Sequence, residues 1–128
     1  MPPLGLAALM QRDRRLRSRK DFADAYRKGR TQGNRLLVVR IRQNDSDITR
    51  FGFVAGKTVG NAVVRNKVKR RLREAARGLD VIGGLDIVIG ARKAAADADF
   101  PALNAALAAL LARGGALRPS AGAAEEKP

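Results

Sequence analysis

The chain has 128 residues, a hydrophobic content of 45% and a formal net charge of +14 at pH 7. This length and composition indicate one compact domain and exclude a largely disordered chain. The sequence contains no cysteine and no histidine, which excludes disulfide bonds, thiolate metal ligands and a histidine general base. The excess of positive charge favours a polyanionic partner, which is nucleic acid, an anionic membrane or an acidic protein. Arginine outnumbers lysine, and this favours contacts with phosphates and base edges.

The first residues do not follow the pattern of a secretory signal. Their short apolar run precedes the basic residues and is too short to span a bilayer. We therefore expect a cytoplasmic protein without a membrane partner. We expect a flexible basic segment over residues 1–17, a single RNA-binding domain over residues 18–113 and a disordered tail over residues 114–128, which are rich in glycine, alanine, proline and glutamate.

The first predicted element is a helix that begins at Ser18 and ends at Gly29. Ser18 is the expected N-cap, with Asp21 as the acid of a capping box. Phe22 and Tyr26 are four residues apart and therefore share one side of this helix.

A β-hairpin is predicted next. Within residues 36–43, Val39 and Ile41 alternate with Arg40 and Arg42, which is typical of a half-buried strand. Residues 44–47 are turn formers, and residues 48–55 have the composition of a strand. We expect the second strand to return alongside the first.

The remaining pattern predicts a helix, a strand and a further helix. The first of these helices covers residues 61–77, and a short apolar strand covers residues 85–89 between glycines. Asp97 or Asp99 is the expected N-cap of the last helix, with Pro101 in its first turn.

The stretch GFVAGKTVG, from Gly52 to Gly60, resembles the phosphate-binding loop of a nucleotide triphosphatase. That loop has four residues between its first glycine and the Gly-Lys pair, whereas three residues separate Gly52 from Gly56. The shorter spacing excludes a Walker loop, so we expect no small-molecule nucleotide. The segment from Gly56 to Gly60 still leads into a helix N-terminus, which favours anions, and Lys57 adds a positive charge there.

The helix over residues 61–77 has one apolar side and one basic side. Eight basic residues and one acid lie between Lys57 and Arg77. Like charges spaced four apart repel by a few tenths of a kcal/mol per pair, so a bound polyanion is the simplest way to offset them. The apolar side contains Val64, Val68, Leu72, Ala75 and Leu79. The polar side contains Arg65, Asn66, Lys69, Arg70, Arg73 and Arg77, with Lys67 and Arg71 at its margins.

These residues resemble a known family. The resemblance rests on GNAVVRNKVKRRLRE, preceded by GKT, which is similar to the Arg-Asn-Arg-type motif of the protein subunit of bacterial ribonuclease P. It extends to three further segments and covers about residues 14–112, and the ordered run from Arg65 to Arg73 is more specific than the charge alone. The further segments are RLRSRKDFADAYRKGR, similar to the first helix of the family, RFGFVAGK, similar to its central strand, and DIVIGARKAA, similar to a later strand.

The resemblance implies an α+β fold of the type found in ribosomal protein S5 domain 2. It is a two-layer sandwich of a mostly antiparallel four-stranded sheet with three helices in the order α-β-β-β-α-β-α. The family has a left-handed βαβ crossover, against the usual right-handed rule.

The resemblance also implies the function of an auxiliary subunit. In this family the RNA subunit hydrolyses the phosphodiester that joins the 5′ leader to precursor tRNA, and Mg²⁺ held by that RNA assists. We therefore expect the ribonuclease P RNA and precursor tRNA as partners, no catalytic residue on this chain, and no metal or cofactor bound by the protein alone. Scattered acids and the absence of histidine and cysteine agree with this role.

Two sets of binding residues follow from the resemblance. The first set docks on the catalytic RNA and consists of Lys57, Arg65, Asn66, Lys69, Arg70 and Arg73, together with the segment from Gly56 to Gly60. The second set lines a cleft for the single-stranded leader and consists of Phe22, Tyr26 and Arg40.

Some positions differ from the family pattern and leave alternatives open. Arg40 stands where many relatives have an aromatic residue, so it either stacks on a base or holds a phosphate. Phe22 either belongs to the cleft or packs in the core. Asn66 either bonds a base or 2′-hydroxyl or caps the neighbouring loop. Thr58 replaces a lysine, which lowers the charge of the loop, and Gly56 replaces a serine.

Two other classes of protein remain as alternatives. The first is a structural rRNA-binding protein of the ribosomal type, with no role in catalysis. A DNA-binding module is the second.

Overall fold

The structure is a computed structural model that describes Leu16 and residues 18–118. Within these residues the chain forms three α-helices and four strands, which confirms the predicted α+β class and element order. The elements are α1 (Arg19–Lys28), β1 (Arg30–Gly33), β2 (Leu37–Gln43), β3 (Arg50–Ala55), α2 (Ala62–Arg77), β4 (Leu85–Ala91), a short 3₁₀ helix (Lys93–Asp97) and α3 (Phe100–Arg113).

The four strands form one mixed sheet in the order β1-β2-β4-β3. β2 is antiparallel to β1 and β4, whereas β3 and β4 are parallel and are joined through α2. The predicted hairpin of residues 36–43 with residues 48–55 is therefore wrong, because β4 lies between them. The physical reason is that residues 85–89 are all buried, and such a continuous apolar strand is most stable between two neighbours with both faces covered.

The two faces of the sheet pack against different helices. The main core lies between one face and the helices α2 and α3, and contains Val39, Phe51 and Ile87. α1 covers part of the opposite face, where Ala25 packs against Val88. The sheet is one of the two predicted layers, and α2 and α3 together form the other. α1 packs on the opposite face of the sheet.

Each helix begins at a side chain that accepts a hydrogen bond from the first turn. The Ser18 Oγ accepts from the Asp21 N–H at 3.0 Å, and the Asn61 Oδ1 accepts from the Val64 N–H at 3.0 Å. Asp99, and not Asp97, caps α3. Glycines 29, 78 and 114 follow the three helices. None of the helices described is long and apolar enough to cross a bilayer.

The packed region extends slightly beyond the predicted domain limits. Leu16 is buried, and its N–H donates to the Phe51 carbonyl oxygen at 3.0 Å. Beyond α3, Ala116 is buried and Leu117 forms a β-bridge with Val81, so the segment 114–118 belongs to the fold. The rest of the predicted flexible segment and tail lies outside the described residues.

Candidate nucleic-acid interface

Helix α2 presents its basic side to solvent because its apolar side is anchored in the core. Val68, Leu72 and Ala75 are buried, as is Ala76, while Val64 and Leu79 pack at the edge of the core. This agrees with the apolar side predicted from the sequence.

The six residues predicted to dock on RNA lie along the outer side of α2 and in the turn before it. Lys57, Asn66 and Arg70 are exposed, and Arg65, Lys69 and Arg73 are half-buried. We name these six residues, from Lys57 to Arg73, the basic face. Five of its members are positively charged and the sixth, Asn66, is a neutral amide that both donates and accepts hydrogen bonds.

Two arginines at the margin of the basic face have partners within the protein. Arg71 donates from Nη1 to the Ala98 carbonyl oxygen at 2.9 Å. Arg77 forms an ion pair with Glu74, with 2.8 Å between Nη1 and Oε2. Both guanidinium groups therefore make contacts within the protein.

Arg73 is positioned by an aromatic ring that the sequence analysis did not select. Its Cζ lies 5.5 Å from the centroid of Phe53, within the range of a cation–π interaction. Phe53 is in turn stacked on Phe51, with 6.2 Å between the ring centroids. The Nε of Arg65 is buried without a hydrogen-bond partner among the described residues.

The turn before α2 holds Lys57 at the helix N-terminus. The Val59 N–H donates to the Gly56 carbonyl oxygen at 3.1 Å, and the Gly60 N–H donates to the Lys57 carbonyl oxygen at 3.2 Å. Gly60 has a φ of +153°, a conformation that favours glycine. Val59 is buried and anchors the turn, so the exposed Lys57 projects beside the start of the basic face.

Gly52, the first glycine of the stretch that resembles a Walker loop, has a packing role. It lies inside β3, and a Cβ at this position would be 2.5 Å from the Cε1 of Phe22. The ring of Phe22 therefore occupies the space that a side chain would need. This agrees with the exclusion of a nucleotide loop.

A cleft of about 250 Å³ lies between α1 and the sheet, and Tyr26 and Arg40 are in its lining. The Cζ of Arg40 is 4.5 Å from the centroid of the Tyr26 ring, and its Nη1 donates to the Thr31 Oγ1 at 3.1 Å. Tyr26 is 43% exposed. The structure thus brings these two predicted residues together, with the phenol ring accessible. The other lining residues are Val38, Val54, Val88, Gly90 and Ala91.

Phe22 does not belong to the lining of this cleft. It is half-buried and packs with Leu16, Val54 and Val88, over Gly52 as described above. The sequence left Phe22 either in the cleft or in the core, and in the structure it packs in the core. A contact between Phe22 and RNA stays a prediction.

A buried ion-pair network was missed by the sequence analysis. Asp86 on β4 is fully buried, and Arg50 on β3 donates to both of its oxygens. Arg50 also donates to the carboxylate of Asp21 on α1, at 3.2 Å. The hydrogen bonds that Arg50 donates to Asp86, together with the negative charge of that carboxylate, raise the pKa of Arg50 above its usual value.

The acidic residues do not assemble into a metal site in the part of the chain that the structure describes, where no group of three or more possible metal ligands occurs. The sequence signal for the Arg50 network was weak. Asp86 is a single acid within an apolar run, and its partner Arg50 is far away along the chain.

Comparison with known proteins identifies the family. Residues 10–115 match the family described as Ribonuclease P. The ribonuclease P protein component of Symbiobacterium thermophilum is 46% identical over 112 residues, which are 85% of this chain and 97% of that protein. A Staphylococcus aureus RNase P protein mutant is 32% identical, with a TM-score of 0.78 over 87% of this chain and 96% of its own. The RNase P protein from Thermotoga maritima is 36% identical, with a TM-score of 0.71 over 77% of this chain and 96% of its own. The resemblance noted in the sequence is confirmed, and the chain belongs to the ribonuclease P protein family.

Proposed function

We propose that this chain is the protein subunit of a ribonuclease P, an endoribonuclease complex that acts in tRNA processing. In this proposal the RNA subunit cleaves the 5′ leader from precursor tRNA, and the protein binds both RNAs in the cytoplasm. The observation that carries the proposal is the basic face, on a helix whose opposite side is anchored in the core. Family membership supports the same assignment.

The state of the acidic side chains supports an auxiliary role. A protein-based hydrolytic centre needs a carboxylate that is available to act as a general base. Several carboxylates of the described residues are instead held by arginines, as in the pairs Asp24–Arg27, Asp86–Arg50, Glu74–Arg77 and Asp80–Arg118. Mg²⁺, in this proposal, is held by the RNA subunit and supplies the activated water.

The basic face is suited to the phosphate backbone of a folded RNA. Each phosphate that a cation neutralises releases condensed counterions, which makes binding favourable and dependent on salt. Asn61 already caps α2, so Asn66 is not needed as a cap and its exposed amide is available for a base edge or a 2′-hydroxyl.

The cleft between α1 and the sheet is suited to an unpaired leader. A base that stacks on the accessible ring of Tyr26 gains about 1–3 kcal/mol without any requirement for a particular sequence. Arg40 covers one side of that ring, so the base stacks on the other side, and the guanidinium is close enough to hold the adjoining phosphate. Of the two alternatives that the sequence leaves open for Arg40, this proposal therefore favours the phosphate contact, with the base stacked on Tyr26.

The test is reconstitution of the protein with ribonuclease P RNA and precursor tRNA. At low Mg²⁺ we expect the protein to increase the rate of precursor cleavage, and to have no activity without the RNA subunit. Cleavage by the protein after complete removal of RNA would contradict the proposal. Tight binding to rRNA with no effect on processing would favour the structural rRNA-binding alternative.

A second measurement isolates the cleft. Tyr26 is the single tyrosine of the chain, so 3-fluorotyrosine gives one ¹⁹F resonance that reports on this position alone. We expect a leader oligonucleotide to shift that resonance, and mature tRNA without a leader to leave it in place. Equal shifts with both RNAs would contradict the assignment of the cleft to the leader.

A further inference from the structure

Gly90 occupies a position in the sheet where the backbone does not require a glycine. It lies in β4, between β2 and β3, and its φ is not positive. Apart from its chain neighbours, the nearest heavy atom to a Cβ at this position would be the Val38 carbonyl oxygen, at 3.6 Å, an ordinary van der Waals distance. Glycine inside a strand weakens the strand, because it loses more conformational entropy on folding and packs no side chain. The fold alone therefore gives no reason for a glycine here.

The space above Gly90 belongs to the cleft between α1 and the sheet, which we name the Tyr26 cleft. Successive residues of β4 face opposite sides of the sheet. Ile87 and Ile89 belong to the main core, whereas Val88 packs with α1 on the other side. Gly90 faces the same side as Val88 and lines the cleft together with Tyr26. Val88 is buried under α1 while Gly90 is half-buried, so the cleft continues past the part of β4 that α1 covers.

Two valines stand on either side of Gly90. In the strand register it is paired with Val38 of β2 and with Val54 of β3, and both valines line the cleft. Neighbouring strands are about 4.8 Å apart, so roughly 10 Å separates the backbones of the two valines. Gly90 places no side chain between them. The floor of the cleft therefore contains a slot with apolar walls.

We propose that Gly90 is a specificity-determining residue of the Tyr26 cleft, and that its slot receives one unpaired nucleobase of the leader. This inference rests on the proposed function, which makes the leader the ligand of the cleft. The cleft has a volume of about 250 Å³ and is smaller than the sites that hold drug-sized ligands, so it suits a single base. The flat faces of a base are apolar, as the valine walls are, and contact between them removes apolar surface from water.

The slot accepts a base without reading its pairing edge. β4 is hydrogen-bonded to a strand on each side, and valine side chains have no donor or acceptor. A polar edge buried against such walls without a partner is costly, so the edge of the base points to the rim of the cleft, where Arg40 lies. The slot therefore selects for an unpaired base and is tolerant of which base it is.

The first experiment measures stability, by urea denaturation of Gly90→Ala and the wild type. A methyl group fits at this position and lowers the entropy of the unfolded chain, so we expect the midpoint of Gly90→Ala to equal or exceed that of the wild type. A clearly lower midpoint would show that the fold itself needs this glycine, and would overturn the argument for the slot.

The second experiment uses the reconstituted complex and precursor tRNAs in which one leader nucleotide at a time is abasic. In the wild type we expect one position where loss of the base weakens precursor binding about tenfold, and where exchange of one base for another has less effect. Gly90→Val fills the slot, so we expect it to bind the intact precursor with the same loss and to show no further loss with the abasic leader. Gly90→Ala should lie between these two results, which keeps the test decisive if Gly90→Val does not fold.

Gly78→Ala is the matched control. Its Cβ would be 3.7 Å from the Ala75 carbonyl oxygen, and Gly78 does not line the cleft, so this variant should keep the full effect of the abasic nucleotide. All variants should bind mature tRNA as the wild type does. An effect of the abasic nucleotide that is absent in the wild type, or unchanged in Gly90→Val and Gly90→Ala, would refute the slot and leave the proposed function standing as long as precursor is preferred over mature tRNA. Loss of that preference in the wild type would instead contradict the leader as the ligand of the cleft.

Discussion

Arg50 donates two hydrogen bonds to the buried carboxylate of Asp86, from Nε at 3.0 Å and from Nη2 at 2.8 Å. The two residues are directly paired in the register of the parallel strands β3 and β4, so their contact joins these strands. Arg50→Met leaves the buried carboxylate of Asp86 with the longer contact to Arg42, at 3.5 Å, and is expected to lower the free energy of unfolding by up to about 3–5 kcal/mol. Urea denaturation measures this change.

Two variants control for other effects of that substitution. The double variant Arg50→Met with Asp86→Leu removes both charges of the pair, but it also removes the partner of Arg42, so it is expected to recover part of the lost stability. Arg35→Met changes an exposed arginine and should stay within about 0.5 kcal/mol of the wild type. A loss in Arg50→Met no greater than that in Arg35→Met would contradict the importance of the pair.

The contact between Arg50 and Asp21 links α1 to the sheet and thereby sets the position of the Tyr26 cleft. Asp21→Asn is expected to loosen α1 and to reduce the preference for precursor over mature tRNA by about two- to fivefold, since the pair is partly exposed. Asp24→Asn removes the same charge from the same helix, where Asp24 pairs with Arg27, and should retain that preference. Binding assays with both RNAs measure it, and equal effects of the two substitutions would exclude a positioning role for Asp21.

Arg70 and Arg71 are adjacent but are expected to respond differently to substitution. Arg70 is exposed on the basic face, so Arg70→Ala should flatten the salt dependence of RNA binding by about 0.7–0.9 in slope and leave stability unchanged. Arg71→Ala should instead lower stability, because its guanidinium donates to the Ala98 carbonyl oxygen. The slope and the urea midpoint of each variant separate these outcomes. An unchanged slope in Arg70→Ala would remove this residue from the RNA contact.

Arg73 is expected to contribute both to RNA binding and to stability. This residue lies over Phe53, so Arg73→Ala is expected to reduce both the salt slope and the stability, whereas Phe53→Leu should reduce chiefly the stability. A normal slope in Arg73→Ala would show that its charge serves the fold alone.

Tyr26 is expected to contribute through its ring and not through its hydroxyl. Tyr26→Ala should reduce the preference for precursor over mature tRNA by about fivefold or more, because it removes the stacking surface. Tyr26→Phe keeps the ring and should retain the preference. Equal losses of affinity for the two RNAs in Tyr26→Ala would exclude the leader as the ligand of the cleft.

The helices and the basic face were predictable because their signals are local. Caps, glycine ends and a period of 3.6 residues are read within each segment. The structure confirms the N-caps predicted for α1 and α3 and the predicted ends of α1 and α2. The arrangement of strands was not predictable in the same way. A turn at residues 44–47 indicates that the chain reverses, but it does not reveal that β4, from much later in the sequence, inserts between β2 and β3.

In the candidate site, too, features set by local sequence were predictable and contacts between distant strands were not. The side of α2 that carries Arg70 follows from periodicity, and the structure agrees. The contacts of Arg42 and Arg50 with Asp86 depend on strand neighbours, so they could be found only once the sheet order was known. β1 was not located from its residues either, since this short edge strand, RTQG, lacks the alternation of a half-buried strand.

Gly52 and Gly56 provide a direct test of how the fold uses the glycines of the apparent nucleotide loop. A Cβ at Gly52 would lie 2.5 Å from Phe22, whereas a Cβ at Gly56 would have no heavy atom within 4 Å. Gly52→Ala is therefore expected to destabilise the protein by about 1–3 kcal/mol through overpacking, and Gly56→Ala to be neutral or slightly stabilising. The urea midpoints of the two variants measure this difference, and the combination of Gly52→Ala with Phe22→Leu should recover part of the loss because it frees the space under the ring. If Gly52→Ala were as stable as Gly56→Ala, the close approach of α1 to β3 at this point would be wrong, and with it the position assigned to the wall of the Tyr26 cleft.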